Sequence, residues 1–353
     1  MVGRAASSAE EGGRPGVCPA VHALRIDVAD RLRRAGPLEI AATVYLPEPA
    51  ALVSPPVVIF GVPGGGYSRG YFDMHFSGHQ GYSEAEYHTT HGFIFVACDP
   101  VGVGDSTLLE PAQITFELLA ACHDAAVREI CARLATGTLA SGFPALPQFL
   151  RIGIGQSMGG KVTVLAQGLQ GTFDGIAVLG ASAIHTVLPQ PTEAGYEAAR
   201  KGHMLSRGAA VDGQSVAQSS RSIADFVYPF HWEDVPADII QADMSGGYPL
   251  RRPPPPPFGS VTIPPCAVTM MSPGVIAREA AAVKVPVLVG VGERDTCPNP
   301  LAEPAAYPNS DDVAVYIVPR MAHMHNFAST RAQLWQLIEA WARRLSQLQP
   351  RVA

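Results

Sequence analysis

The strongest constraint on the fold is the regular alternation of apolar segments and helix-like segments along most of the chain. Several short runs are rich in apolar and β-branched residues, which is typical of buried strands. They occupy residues 21–28, 38–47, 56–66, 92–106, 149–157, 175–182, 285–295 and 313–319. Residues 114–135, 158–169 and 327–347 instead place apolar side chains at helical spacing. This α/β pattern predicts an early hairpin and then a mainly parallel sheet covered by helices on both faces.

One long segment interrupts the alternation. Residues 186–271 contain no clear strand and many polar residues, and they separate two of the predicted core strands. We therefore predict that they form an inserted, mainly helical lid, and that the core consists of residues 21–185 and 272–353. Residues 1–20 lack the apolar stretch of a signal peptide and are expected to form a flexible tail.

Composition excludes several classes of protein. The net charge of −6 provides no basic surface for nucleic acid, so no nucleic-acid partner is expected. No apolar run has the length of a membrane span, so no membrane association is expected either. The six cysteines are scattered without a CxxC pair and indicate reduced thiols and a cytoplasmic protein. A homodimer is compatible with the sequence, but no feature of it shows one.

The segment "GIGQSMGG" at residues 153–160 places a serine between glycines, directly after an apolar run. Its core, Gly155-Gln156-Ser157-Met158-Gly159, has the G-x-S-x-G spacing of a nucleophile elbow. In an elbow a strand turns sharply into a helix and the serine projects from the turn, while the glycines relieve crowding. The alternative for the same letters is an ordinary glycine-rich turn.

Acidic and histidine side chains follow two later predicted strands. "GERD" provides Glu293 and Asp295, and "AHMHN" provides His323 and His325. Since binding sites in parallel sheets lie at the carboxyl ends of strands, these groups are expected near Ser157. A serine hydroxyl needs a histidine to take its proton, and that histidine needs a carboxylate to orient it.

The glycine-rich segment "VPGGGY", residues 62–67, follows another predicted strand. A tetrahedral intermediate requires two N–H donors for its oxygen, and we expect the loop to provide one of them. The first donor is expected from Met158, the residue after the serine. Gly65, Gly66 and Tyr67 remain candidates for the second. A phosphate-binding loop is disfavoured because the Lys-Ser/Thr pair of a P-loop is absent.

Together with "DPVGVGDS" at residues 99–106, these motifs resemble those of the α/β-hydrolases over residues 21–353. The resemblance implies that Ser157 is the nucleophile, Asp295 the acid and His323 the base. Glu293 and His325 are the weaker alternatives for the last two roles. Pro63 stands where lipases and esterases of the HGGG type have histidine, which leaves the second oxyanion donor open.

The resemblance implies a cofactor-free serine hydrolase with no metal. The expected substrate is a carboxylic ester or lactone of a bulky hydrophobic small molecule, because a long apolar lid would enclose an apolar pocket. Tyr67 and Trp232 are the side chains predicted to contact it, with lid packing as the alternative for Trp232.

Two other hypotheses remain open at this stage. The same triad could serve acyl transfer, C–C bond hydrolysis or cyanohydrin cleavage, or the fold could be a non-enzymatic small-molecule-binding module. Serine at position 157 excludes the members of the family that use aspartate as nucleophile.

Overall fold

A computed structural model of the chain describes residues 19–202, 204–221, 225–248 and 250–348, and the structural statements below concern these residues. Most of the tail predicted for 1–20 therefore lies outside the described residues. Within them, no helix combines the length and the apolar character that crossing a bilayer requires.

The core is one sheet of eight strands in the order β1-β2-β4-β3-β5-β6-β7-β8. The first two strands form the predicted antiparallel hairpin, β2 also pairs antiparallel with β4, and all remaining pairs are parallel. This confirms the mainly parallel sheet. The strands are β1 Ala20–Asp27, β2 Glu39–Leu46, β3 Val57–Val62, β4 Ile94–Cys98, β5 Leu150–Gln156, β6 Gly175–Leu179, β7 Val287–Arg294 and β8 Val313–Ala322.

Helices cover both faces of the sheet. Side chains of α2, α3 and α8 pack into one apolar cluster, and those of α1 and α9 pack into a second. Neighbouring residues of β3 enter different clusters, because side chains alternate between the faces of a strand. The helices are α1 Glu84–Thr90, α2 Phe116–Thr136, α3 Met158–Gln170, α4 Glu193–Gly202, α5 Gly213–Arg221, α6 Val227–Phe230, α7 Ala237–Met244, α8 Ala277–Ala282 and α9 Arg331–Leu348.

The two longest helices, α2 and α9, lie close to the positions predicted for them, residues 114–135 and 327–347. Val127, Ile130 and Leu134 of α2 are fully buried, as their shared face predicts. The helix begins where Thr115 accepts a hydrogen bond from Leu118 N–H, and it ends at Gly137, whose φ of 70° is left-handed.

Helix α1 has no counterpart in the prediction. Its first turn is capped by Ser83, whose hydroxyl accepts a hydrogen bond from the N–H of Glu86 at 3.0 Å. The spacing Ser-x-x-Glu is that of a capping box and is the signal that could have revealed the helix. The helix is only seven residues long, which makes its apolar period hard to detect.

The segment predicted as a lid lies between β6 and β7 and contains short helices, α4 to α7, and no strand among its described residues. Its backbone contacts the loop that follows β8, since His323 N–H donates to Pro229 O and Met324 N–H to Phe230 O. It also contacts the loop that follows β3, where Ser260 N–H donates to Gly66 O. Both loops lie at the carboxyl end of the sheet.

Candidate active site

Ser157 occupies the junction between β5 and α3. Its φ of 55° and ψ of −117° place a residue with a side chain in a sparsely populated backbone region. Its N–H donates to Leu179 O on the neighbouring strand at 2.7 Å, which ties the junction to the sheet. The hydroxyl thereby projects beyond the end of the strand.

The two glycines of the motif allow main-chain segments to approach each other without side chains. A methyl group on Gly155 would lie 2.2 Å from the carbonyl oxygen of Gly159. A methyl group on Gly159 would lie 2.0 Å from Val62 O and 2.6 Å from Pro63 O, at the end of β3. Only hydrogen fits at either position, so the spacing of the motif follows from how closely α3 approaches β3.

His323 and Asp295 lie next to Ser157. His323 Nε2 is 2.9 Å from Ser157 Oγ, and His323 Nδ1 is 2.7 Å from Asp295 Oδ1. Asp295 follows β7 and His323 follows β8, so the three groups meet at the carboxyl edge of the sheet. With Nδ1–H donating to the carboxylate, Nε2 is left as the acceptor for the serine hydroxyl.

The carboxylate of Asp295 accepts hydrogen bonds from four groups. Besides His323, the donors are His325 Nε2 at 2.7 Å, Gly292 N–H at 2.8 Å and Thr296 N–H at 2.7 Å. Burial alone would raise the pKa of Asp295, but the adjacent His325 and His323 outweigh it and hold the pKa well below its usual range. The group is therefore ionised at any pH near neutrality.

The alternatives Glu293 and His325 do not reach Ser157 in this arrangement. Glu293 is exposed and accepts a hydrogen bond from Arg320 N–H at 2.9 Å. His325 is buried and binds the far oxygen of Asp295, and its Nδ1 has no hydrogen-bond partner among the described residues. His325 thus contacts the acid, while His323 lies between the acid and the serine.

Sequence reasoning assigned no role to Gln156, the residue before the serine. Its side-chain amide donates to the main-chain oxygen of His323 at 2.8 Å and is buried. The same side chain occupies the space beside Gly64, where a methyl group would lie 2.2 Å from Gln156 Oε1. Gln156 therefore bonds to the loop after β8 that contains His323 and lies against the loop after β3 that contains Gly64.

The glycine loop after β3 brings only one of its candidate donors to the cavity beside Ser157. Gly65 and Met158 both line that cavity, whereas Gly66 does not. The N–H of Tyr67 donates to Gly64 O at 3.2 Å and is already engaged. Among the three candidates, Gly65 is the one whose position suits a second oxyanion donor.

Neither Tyr67 nor Trp232, the two side chains predicted to contact substrate, lines the cavity beside Ser157. Tyr67 is fully buried, and its hydroxyl donates to both oxygens of Asp243 at 2.9 Å. The ring of Trp232 faces the guanidinium of Arg294 at 4.6 Å. Both aromatic rings pack the segment after β6 onto the core, which is the alternative weighed for Trp232.

Asp243 is the centre of a buried polar cluster that includes Tyr67. His231 Nε2 lies 2.9 Å from one carboxylate oxygen, and Arg251 Nη2 donates to the other at 2.8 Å. Arg251 also donates from Nη1 to Gly66 O and stacks over the ring of Tyr67. All of these side chains are buried, so the cluster joins the inserted segment to the glycine loop out of contact with water.

The cavity beside Ser157 holds about 800 Å³ of empty space, counting the solvent at its opening. Most of its wall is apolar and comes from the segment between β6 and β7. The apolar side chains are Leu188, Val216, Phe226, Phe230, Ile263, Ala267, Val268, Met270 and Met271. Its polar groups include the hydroxyls of Ser157, Thr186 and Thr296, His323 and the amine of Lys161. An apolar cleft with few polar groups is typical of a small-molecule site.

Among the described residues, one group could hold a metal ion. Asp73, His75 and Glu86 bring three ligand atoms within 4.8 Å of one another. His75 and Glu86 are exposed, and none of the three lines the cavity that contains Ser157. Asp73 already accepts hydrogen bonds from Tyr45 and Ser83.

Comparison with known proteins identifies the fold. No family model and no curated sequence matches the chain. A thermophilic esterase from Thermogutta terrifontis is 16% identical with a TM-score of 0.57, covering 92% of this chain and 99% of its own. The proline iminopeptidase of Mycobacterium smegmatis is 16% identical with a TM-score of 0.58 and the same coverage. The chain has the α/β-hydrolase fold.

The α/β-hydrolase fold by itself leaves the reaction open, because one fold can host many chemistries. A haloalkane dehalogenase variant from Bradyrhizobium elkanii is as similar in structure, with 15% identity and a TM-score of 0.57 over 93% of this chain and 98% of its own. The function must therefore be argued from the site.

The close approach at the elbow generates a prediction about stability. Gly159→Ala should lower the free energy of unfolding by about 1–3 kcal/mol or more, because the added methyl meets main-chain oxygens that cannot rotate away. Gly65→Ala is the matched control, since its methyl would have no neighbour closer than 3.7 Å. Chemical denaturation measures both variants, and equal stability of the two would contradict this account of the motif.

A second prediction concerns the buried cluster. Asp243→Asn keeps the shape of the side chain but leaves the guanidinium of Arg251 without its counter-charge. Breaking a buried ion pair costs about 3–5 kcal/mol, and we expect a loss of that size in urea unfolding. Asp238→Asn is the control, because its carboxylate is exposed and forms its ion pair with His79, whose side chain is also partly exposed. The prediction fails if both substitutions leave the unfolding midpoint near that of the wild type.

Proposed function

We propose that the protein is a serine hydrolase that cleaves a carboxylic ester or lactone of a bulky hydrophobic small molecule. The observation that carries the proposal is the continuous contact from Ser157 through His323 to Asp295, opening into an apolar cavity. These residues provide a nucleophile, a base and a group that orients the base. Among the structurally similar proteins is an esterase, but at 16% identity it supports the fold alone.

The first chemical step is attack on the ester carbonyl. His323 Nε2 takes the proton of the Ser157 hydroxyl as Oγ bonds to the carbonyl carbon, and the carbonyl electrons move to its oxygen. The imidazolium that forms is stabilised by Asp295, which is ionised and 2.7 Å away. The carboxylate remains ionised throughout and keeps the histidine in the required tautomer.

The negative oxygen of the intermediate requires donors that are already in place. We assign these to the N–H groups of Met158 and Gly65, since both residues line the cavity beside Ser157. Met158 also begins helix α3, whose dipole favours negative charge at this end. Donors fixed in this way are worth about 3–4 kcal/mol each in the transition state of acyl transfer.

The intermediate collapses when the imidazolium of His323 gives its proton to the leaving alkoxide. The C–O bond breaks, the alcohol is released and the acyl group remains on Ser157 Oγ. Water then enters, gives a proton to His323 and attacks the acyl carbon. The second intermediate collapses when the bond from the acyl carbon to Ser157 Oγ breaks and His323 returns its proton to Oγ, which releases the free acid. In a lactone the alcohol and the acid are parts of one product molecule.

A prediction about the nucleophile follows. A fluorophosphonate probe should label Ser157, and both Ser157→Ala and His323→Ala should lower kcat/KM for a hydrolysed ester by roughly 10⁴-fold or more. The double variant should be scarcely slower than either single variant, because the members of a triad act as a unit. Labelling is read by peptide mass spectrometry and turnover by steady-state kinetics.

His325→Ala is the matched control for the histidine assignment. It removes a second imidazole from the same carboxylate, but Asp295 keeps the N–H groups of Gly292 and Thr296 as donors. We therefore expect a far smaller loss than for His323→Ala. A larger loss at His325, or full activity in Ser157→Ala, would overturn the assignment.

A further prediction concerns the size of the substrate. Because the cavity wall is mostly apolar, kcat/KM should rise from acetate esters to esters of bulky aromatic or cyclic acids. Ala267→Phe fills part of that wall and should slow the bulky esters far more than the acetates. Equal rates for small and bulky esters in the wild type would contradict a selective apolar pocket.

A further inference from the structure

A lysine lies in the cavity wall where an apolar side chain would be expected. Lys161 belongs to the first turn of α3, four residues beyond Ser157 in the chain. It lines the same cavity and is only 3% exposed. A buried cation is costly unless it is paired or hydrogen-bonded, so its presence here requires an explanation.

The protein satisfies this amine only in part. Lys161 Nζ donates to the main-chain oxygen of Met270, while an ammonium group has three hydrogens to donate. No ion pair joins it to a carboxylate within the described residues. The nearby carboxylate of Glu303 acts on the amine through space, and its own oxygens accept from Ser182 Oγ and from Ala183 N–H at 2.9 Å.

A second residue of the cavity wall, Thr186, carries a polar group without a partner among the described residues. The residue is only 9% exposed, and its buried hydroxyl makes no hydrogen bond to any described residue. The rest of the cavity wall is mostly apolar, with Leu188, Val268 and Met271 among its side chains. An under-satisfied cation and a free hydroxyl on an apolar wall match a ligand that presents an anionic oxygen.

We propose that Lys161 and Thr186 bind a carboxylate group of the substrate, at a distance from the bond that Ser157 cleaves. The inference rests on the proposed hydrolase function and narrows its substrate to hydrophobic esters or lactones that carry a free carboxylate. One cation and one hydroxyl suit a singly charged carboxylate better than a phosphate, whose second charge would lack a counter-charge. The apolar wall would contact the hydrocarbon between the two groups.

The electrostatics of the cavity are consistent with a cation that gains from a bound anion. Burial lowers the pKa of the Lys161 ammonium to about 7, against the opposing effects of Glu303 and Cys297. His185 is a further titratable group near the amine, and burial, Lys161 and Arg200 together lower its pKa. A carboxylate beside the amine would favour the charged form and raise the pKa of the amine again.

The test compares ester pairs that differ only in a terminal carboxylate or its isosteric primary amide. One series places this group on the acyl chain and a second places it on the alcohol, each over several chain lengths. We expect kcat/KM for the best carboxylate ester to exceed that of its amide by about tenfold to 100-fold, the range of a charge-assisted hydrogen bond. In Lys161→Met and Lys161→Gln this ratio should fall to about one.

Two features of the design separate charge recognition from a structural role. Lys161→Gln keeps an N–H donor on the side chain but removes the charge, so a carboxylate-to-amide ratio of about one in this variant reports the loss of the charge. Lys284→Met is the matched control, because Lys284 is exposed and precedes β7 at the opposite edge of the sheet. Its ratio should equal that of the wild type.

The wild-type protein provides a further readout that needs no variant. Only the ammonium form of Lys161 attracts an anion, and the carboxylate stays ionised above pH 6. The carboxylate-to-amide ratio should therefore decrease between pH 6 and pH 9 as the amine loses its proton. Any pH dependence of the catalytic steps is common to both esters and cancels in the ratio.

Failure of this inference differs from failure of the proposed function. If both kinds of ester are hydrolysed at equal rates in both series and at every pH, the carboxylate site is wrong and the hydrolase stands. If neither is hydrolysed, the proposed hydrolase function fails. In that case calorimetric titration of Ser157→Ala with the ester pairs tests the carboxylate site by binding alone. Equal affinities for the carboxylate ester and the amide ester would overturn the carboxylate site.

Discussion

The close approach of helix α3 to strand β3 is the constraint on which the rest of the site depends. Gly159 lies against the main-chain oxygens of Val62 and Pro63, and no side chain would fit between them. This contact holds the start of the helix against the sheet, so Ser157 is forced into a left-handed conformation at the turn. The nucleophile and Met158 are thus brought to one cavity by main-chain packing.

Buried charges in this protein are of two kinds. The carboxylates of Asp243 and Asp295 are surrounded by donors from several parts of the chain, and each joins loops that would otherwise be independent. Lys161 has a single hydrogen-bond acceptor among the described residues and lines the cavity. A buried charged group whose hydrogen bonds are all made within the protein stabilises the fold. A buried charged group with unused donors in a cavity can bind a ligand that provides the missing acceptors.

The sheet was predictable because its central strands are strongly apolar and the long helices between them keep a clear period. Short helices such as α1 were not, since seven residues contain too few turns to show a period and only the Ser83 cap marks the start. The segment between β6 and β7 differs from the core in sequence because it contains no clear strand, but its contacts could not be predicted. Tyr67 and Trp232 look like pocket residues in sequence, yet they pack against Asp243 and Arg294.

The sequence alone determined the fold class and the chain order of serine, acid and histidine, because parallel strands bring their carboxyl ends to one edge whatever the details of the loops. Only the tertiary structure decided which histidine contacts Ser157. His323 and His325 are two residues apart, both are buried and both bind Asp295. The choice depends on the direction of each ring, which is set by contacts distant in sequence, including the bond from Gln156 to the main chain of His323.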